Sequence, residues 1–193
     1  TRQQNNIPKV FISSTVEDLL PYRSSAKETA IGAGFLPVMQ EYFPAESQNL
    51  PLDECLKKVD QCDLLIVIVA YRCGWIPSKQ PGDERKSITR LECERALEKG
   101  KEVLAFVVDS KYEWAESLKE EYRISRAVLE GKDTVEMLTD VRNAVACLKD
   151  FKAWLNDTLI RKTFTSPEDL SAKISNGLYE WKIKHNYSLP EVK

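Results

Sequence analysis

The segment Ser87-Ile88-Thr89-Arg90-Leu91-Glu92-Cys93-Glu94-Arg95-Ala96-Leu97-Glu98 carries three glutamates that are not equivalent. Counting about 100° per residue from Ile88, the residues Cys93, Ala96 and Leu97 fall between about 80° and 180°. Glu92 falls at about 40°, inside this apolar arc, whereas Glu94 and Glu98 fall at about 240° and 280°, on the side expected to face solvent. A carboxylate on the buried side of a helix needs either partners or a chemical task. A structural explanation competes, because Thr89-Arg90-Leu91-Glu92 matches the S/T-x-x-E capping box. If Ser87 caps the helix instead, Glu92 lies one turn inside and the box no longer accounts for it. Spacing alone leaves both readings open.

Other chemistries are poorly supplied. The single histidine, His185, sits among Lys182, Lys184 and Asn186 and reads as a solvated residue. One histidine leaves no room for multi-histidine metal sites or a straightforward Ser-His-Asp triad. The cysteines are Cys55, Cys62, Cys73, Cys93 and Cys147. An odd number without a C-x-x-C pair gives neither a disulfide framework nor a zinc knuckle, so they read as small buried hydrophobes. Neither G-x-G-x-x-G nor G-x-x-x-x-G-K-[ST] occurs, so a dinucleotide fingerprint and a P-loop are both missing.

The 28 Lys+Arg and 30 Asp+Glu of the 193 residues give a formal net charge of -2, and nothing concentrates positive charge for nucleic acid. The longest apolar run, Leu64 to Tyr71, is far short of the roughly 20 residues needed to span a bilayer. No basic-then-apolar leader is recognisable, so a soluble, cytoplasmic domain is expected, with no membrane, nucleic acid or metal partner.

The elements that must position Glu92 follow from the apolar pattern. Lys9-Val10-Phe11-Ile12 reads as a strand, followed by a helix capped by Ser14 or Thr15 and running to about Ala33. Phe35 to Val38 is a second strand, Glu41 to Asn49 a loop, and Leu52 to Gln61 a helix closed by Cys62. Leu64 to Ala70 and Val103 to Val108, apolar on both faces, read as central parallel strands. Between them lie a loop over Arg72 to Lys86 and the Ser87 helix, which ends at Gly100. Segments of about 113–129 and 134–156 are amphipathic helices, expected as an insertion over about 113–156 packed as an addition to the sheet. Leu159 to Phe164 supplies a fifth strand, and Ser166-Pro167-Glu168-Asp169 starts a last helix. Alternation of this kind predicts one doubly wound parallel α/β domain over residues 1–188. Residues 189–193 read as a linker to a further domain. Ligands bind such sheets outside the carboxyl ends of the strands. The residues there are Ser13, Ser14, Tyr42, Phe43, Tyr71, Arg72 and Trp75, with Tyr22 and Arg23 nearby on the first helix. Tyr71 and Trp75 also read as core anchors for their loop.

Val10-Phe11-Ile12-Ser13-Ser14-Thr15-Val16-Glu17-Asp18-Leu19 resembles the opening of an uncharacterised TIR-like domain family, usually N-terminal in bacterial signal-transduction NTPases. The resemblance continues through Cys62 to Ile68, Tyr71-Arg72-Cys73-Gly74-Trp75, Ser87 to Glu92 and Val103 to Phe106. It covers about Pro8 to Asp109 well and the rest loosely. It implies a flavodoxin-like sheet of strand order 2-1-3-4-5 and kinship with TIR domains, some of which cleave NAD at the nicotinamide–ribose bond. Their catalytic glutamate lies on the helix after the third strand, which matches Glu92. Nicotinamide leaves as a neutral molecule, so a lone carboxylate suffices to bind ribose hydroxyls and stabilise an oxocarbenium-like transition state. Ser13, Ser14 and Arg72 would join the substrate-binding set, and Tyr42, Phe43 or Trp75 would stack on a ring. The tryptophan-cysteine lead-in that many TIR enzymes carry before the glutamate is missing. NAD is thus expected as substrate rather than cofactor, in a defence or stress-signalling protein with an NTPase domain in the same chain. A silent adaptor acting by self-association and a nucleoside deoxyribosyltransferase-like enzyme are the alternatives.

Overall fold

Five parallel strands form the sheet, in the order β2-β1-β3-β4-β5. The computed structural model describes residues 7–39, 52–78, 80 and 85–187. Within them run β1 (Lys9–Ser14), α1 (Leu20–Gly32), β2 (Leu36–Val38), α2 (Leu52–Asp60), β3 (Leu64–Val69) and α3 (Ile88–Glu98). After these come β4 (Glu102–Val108), a 3-10 turn (Glu116–Leu118), α4 (Tyr122–Glu130), α5 (Val135–Thr158), β5 (Arg161–Phe164) and α6 (Pro167–Lys184). The expected flavodoxin-like arrangement and strand order are therefore those observed.

Strand β3 explains the architecture. Every residue from Leu64 to Val69 is buried, because helices cover both faces. Leu64, Ile66 and Ile68 join Val10, Ile12, Phe106 and Phe164 under α1 and α6. Leu65, Val67 and Val69 join Phe11, Ala105 and Val107 under α2, α3 and α5. Each fully buried Leu, Ile or Val contributes about 1.5–3 kcal/mol, so this strand anchors both layers.

Two expectations are corrected. The first helix does not start from Ser14 or Thr15: α1 begins at Leu20, and no side chain caps it. Ser14 is still paired with Ile68 in the sheet, and the next residues are spent in a turn in which Thr15 donates to Asp18 Oδ1 at 2.5 Å. Pro21 can occupy the first turn because an N–H there has no helical partner. The second correction concerns α5, which is no mere addition. Its Ala144, Cys147, Leu148, Phe151 and Leu155 complete the second core, making α5 the crossover helix between β4 and β5. Among the described elements, the 3-10 turn and α4 lie outside the layered plan. Ser166 caps α6 as expected, accepting from the Asp169 N–H. Among the described residues no helix is long and apolar enough to cross a membrane.

Candidate functional site

Glu92 is 2% exposed, and the helical wheel placed it correctly. Ser87 is the N-cap of α3, its side chain accepting from the Arg90 N–H at 3.3 Å. Glu92 therefore stands two residues too far along for the capping box, which requires a residue at the third helical position, here Arg90. One of the partners of Glu92 comes from across the sheet. The Ser13 hydroxyl, at the carboxyl end of β1, donates to Glu92 Oε2 at 2.5 Å. Glu98 is exposed as expected, but Glu94 is not simply solvated: Lys86 donates to its Oε2 and Arg90 to its Oε1, each at 3.0 Å.

Neighbouring groups hold this end of β1 in place. Arg23, 1% exposed, donates to the Ser14 carbonyl at 3.0 Å and to the Ser14 hydroxyl at 2.5 Å. Asp18, also 1% exposed, takes the Thr15 hydroxyl on one oxygen and the Tyr71 N–H on the other, at 3.3 Å. Burial pushes the Asp18 carboxyl above the usual aspartate range, against the pull of the Thr15 hydroxyl and the backbone N–H groups. The turn after β1 is thereby tied to the end of β3.

A cavity of about 1000 Å³ opens beside these loops. Ser14, Thr15, Arg72, Gly74, Trp75 and Thr89 line one wall, and Tyr122, Arg123 and Arg126 of α4 line another. Glu92 and Ser13 do not line it themselves; they adjoin it through Thr89, one turn before Glu92, and Ser14. The charged groups around it are partnered, with Lys132 also reaching Glu130 at 2.9 Å. Arg72 meets Glu17 at 3.0 Å, Arg123 meets Glu120 at 2.6 Å and Arg126 meets Glu130 at 2.9 Å. Trp75 is 47% exposed at the rim, whereas Tyr71 packs against the Trp114 ring and is the anchor of its loop. Tyr42 and Phe43 lie outside the described residues. Among the described residues no group of three or more His, Cys, Asp or Glu could hold a metal ion.

The residues missed by sequence reasoning belong to α4 and the turn before it. Glu120, 3% exposed, accepts from the Cys73 N–H at 3.1 Å, and its own N–H donates to the Tyr71 carbonyl at 3.1 Å. Arg72 Nε donates to the Leu118 carbonyl at 3.0 Å. No local pattern announces a pairing across 47 residues.

Fold and site together define a flavodoxin-like α/β protein with a buried, serine-held carboxylate at the carboxyl ends of its strands. Residues 9–179 match a family model described as a domain of unknown function, DUF4062, and the chain belongs to that family. No curated protein matches it. Among solved structures it is similar to the CMP N-glycosidase BcmB of Clostridium botulinum, at 11% identity and a TM-score of 0.44. That similarity covers 88% of this chain and 98% of the other.

Proposed function

We propose that this chain is an NAD-consuming effector domain that hydrolyses the nicotinamide–ribose bond, with Glu92 as its catalytic carboxylate. The observation that carries the reading is the Glu92–Ser13 pair, a buried carboxylate not spent on capping its own helix. It stands where open parallel sheets bind ligands, beside a cavity large enough for a nucleotide. In the reaction the C–N bond breaks and its electron pair leaves with nicotinamide, which is neutral once released. Glu92 stabilises the positive charge that develops on the ribose, and Ser13 fixes the orientation of the carboxylate. Water then adds to the sugar carbon and loses a proton to solvent. Trp75 offers a ring face at the rim for stacking.

The test is to incubate the chain with NAD and chromatograph the products. Nicotinamide should appear with the native chain and vanish with Glu92→Gln, whose circular dichroism should be unchanged. Glu98→Gln, on the exposed side of α3, should retain activity. Equal turnover by the native chain and Glu92→Gln would remove Glu92 from the mechanism. Signalling by self-association is a second reading, favoured by Val128, Leu129 and Val135, which are 56%, 82% and 78% exposed. No nicotinamide at high protein concentration, with a mass that grows with concentration, would decide for it.

A further inference from the structure

The sulfurs of Cys73 and Cys147 lie 2.8 Å apart, although the residues are separated by 74 positions. Cys73 sits between Arg72 and Gly74, both in the cavity wall, and Cys147 is in α5. Both thiols are free and buried in the second core cluster. Their separation is well inside ordinary sulfur contact, and a disulfide would shorten it to about 2.03–2.05 Å. Among the described residues no other pair of cysteines makes such a contact. Cys62 donates to the Lys58 carbonyl instead, and burial pushes its thiol up to about 12. Cys93 is enclosed in the core, and burial drives its thiol well up.

We propose that Cys73 and Cys147 are an oxidation site, forming a reversible disulfide that fastens the loop after β3 to helix α5. The site does not rest on the NAD reading. The Cys73 sulfhydryl donates toward Cys147, and this bond, the Ser87 backbone N–H and the Arg90 charge favour a thiolate at Cys147 against the cost of burial. The oxidant is hydrogen peroxide. The Cys147 thiolate attacks one peroxide oxygen: an S–O bond forms, the O–O bond breaks, and the departing oxygen takes a proton to leave as water. Cys73 then attacks the Cys147 sulfur. The S–S bond forms, the S–O bond breaks, and the leaving hydroxide departs as water with the Cys73 proton. Two thiols are oxidised and one peroxide is reduced by two electrons. A dithiol reverses the change. In a reducing compartment such a bond would be transient, as sensing disulfides are.

The experiment uses the whole reduced chain and a small excess of hydrogen peroxide. Remaining thiols are alkylated in denaturant, and the digest is examined by mass spectrometry with and without dithiothreitol. The expected product is a peptide pair joined through Cys73 and Cys147, lighter by two hydrogens, with Cys55, Cys62 and Cys93 alkylated. Hydrogen exchange at the Gly74 to Ile76 amides should slow in the oxidised chain and recover on reduction. Cys147→Ser should give no joined pair. Alkylation of both cysteines after peroxide, or over-oxidation of Cys147 without linkage, would overturn the proposal. Linkage with unchanged exchange at these amides would overturn the fastening of the loop.

Discussion

Ser13 offers a carboxylate one hydroxyl, and the consequences of losing it are specific. Ser13→Ala leaves Glu92 buried with one fewer donor, which should cost about 1–3 kcal/mol of stability. Any NAD cleavage should fall about tenfold or more, because the carboxylate is no longer held in one orientation. Urea unfolding and initial rates check the two parts separately, and a rate matching the native chain would deny Ser13 a positioning role. Asp18 makes a different forecast. Its folded carboxyl titrates above the unfolded one, so the folded state keeps a proton that the unfolded chain has already released. Below the ordinary aspartate value it has no effect on stability. As pH rises from there through the raised folded value, ionisation in a buried place progressively weakens the fold. The stability of the native chain relative to Asp18→Asn should therefore decline as pH rises from the ordinary aspartate value, about 4, through the raised folded value. A difference that stays flat with pH would contradict this. Much at this scale was legible. Angular counting put Glu92 on the buried face of α3, and strand-end logic singled out Ser13, which bonds it, and Ser14, Arg72 and Trp75, which line the adjoining cavity. The ties of Asp18 to Tyr71 and of Glu120 to Cys73 were not legible, since they span 53 and 47 residues.

Elements carry the site through their ends. Ser87 starts α3, so Ser87→Ala should cost about 1 kcal/mol and fray the turn that precedes Glu92. Gly74 has a positive φ of 76°, and a Cβ there would stand 2.8 Å from the Thr15 methyl. Gly74→Ala should cost about 1–2 kcal/mol for the backbone alone and push the loop off Thr15. Thermal melts of both variants check these values, and an unchanged melting temperature for Gly74→Ala would refute the argument. The apolar runs announced β1, β3 and β4 because helices cover them on both sides. The start of α1 was illegible for a related reason: Ser14 and Thr15 have the composition of a cap, but the sheet continues through Ser14 and the turn takes Thr15.

For the whole molecule, the layering makes α5 indispensable. Phe151 is 2% exposed in the second core, and Phe151→Ala should cost about 3–5 kcal/mol. The loss should be cooperative, with far-ultraviolet circular dichroism and tryptophan fluorescence changing together in urea. A variant losing helix while its sheet persisted would restore α5 to the status of an addition. Amphipathic spacing identified α5 as a helix but could not say which surface received it. That surface, the face of β3 and β4 bearing Val67, Val69 and Ala105, exists only once the strands are assembled.

The three bonds joining Leu118 and Glu120 to Tyr71, Arg72 and Cys73 give the cavity a composite authorship. One wall is written by strand ends that the core cannot spare. The other is written by α4, most of whose side chains lie outside both core clusters. Substitution of exposed residues such as Tyr122 and Arg126 can therefore change the lining of the cavity while leaving Glu92 and its serine untouched.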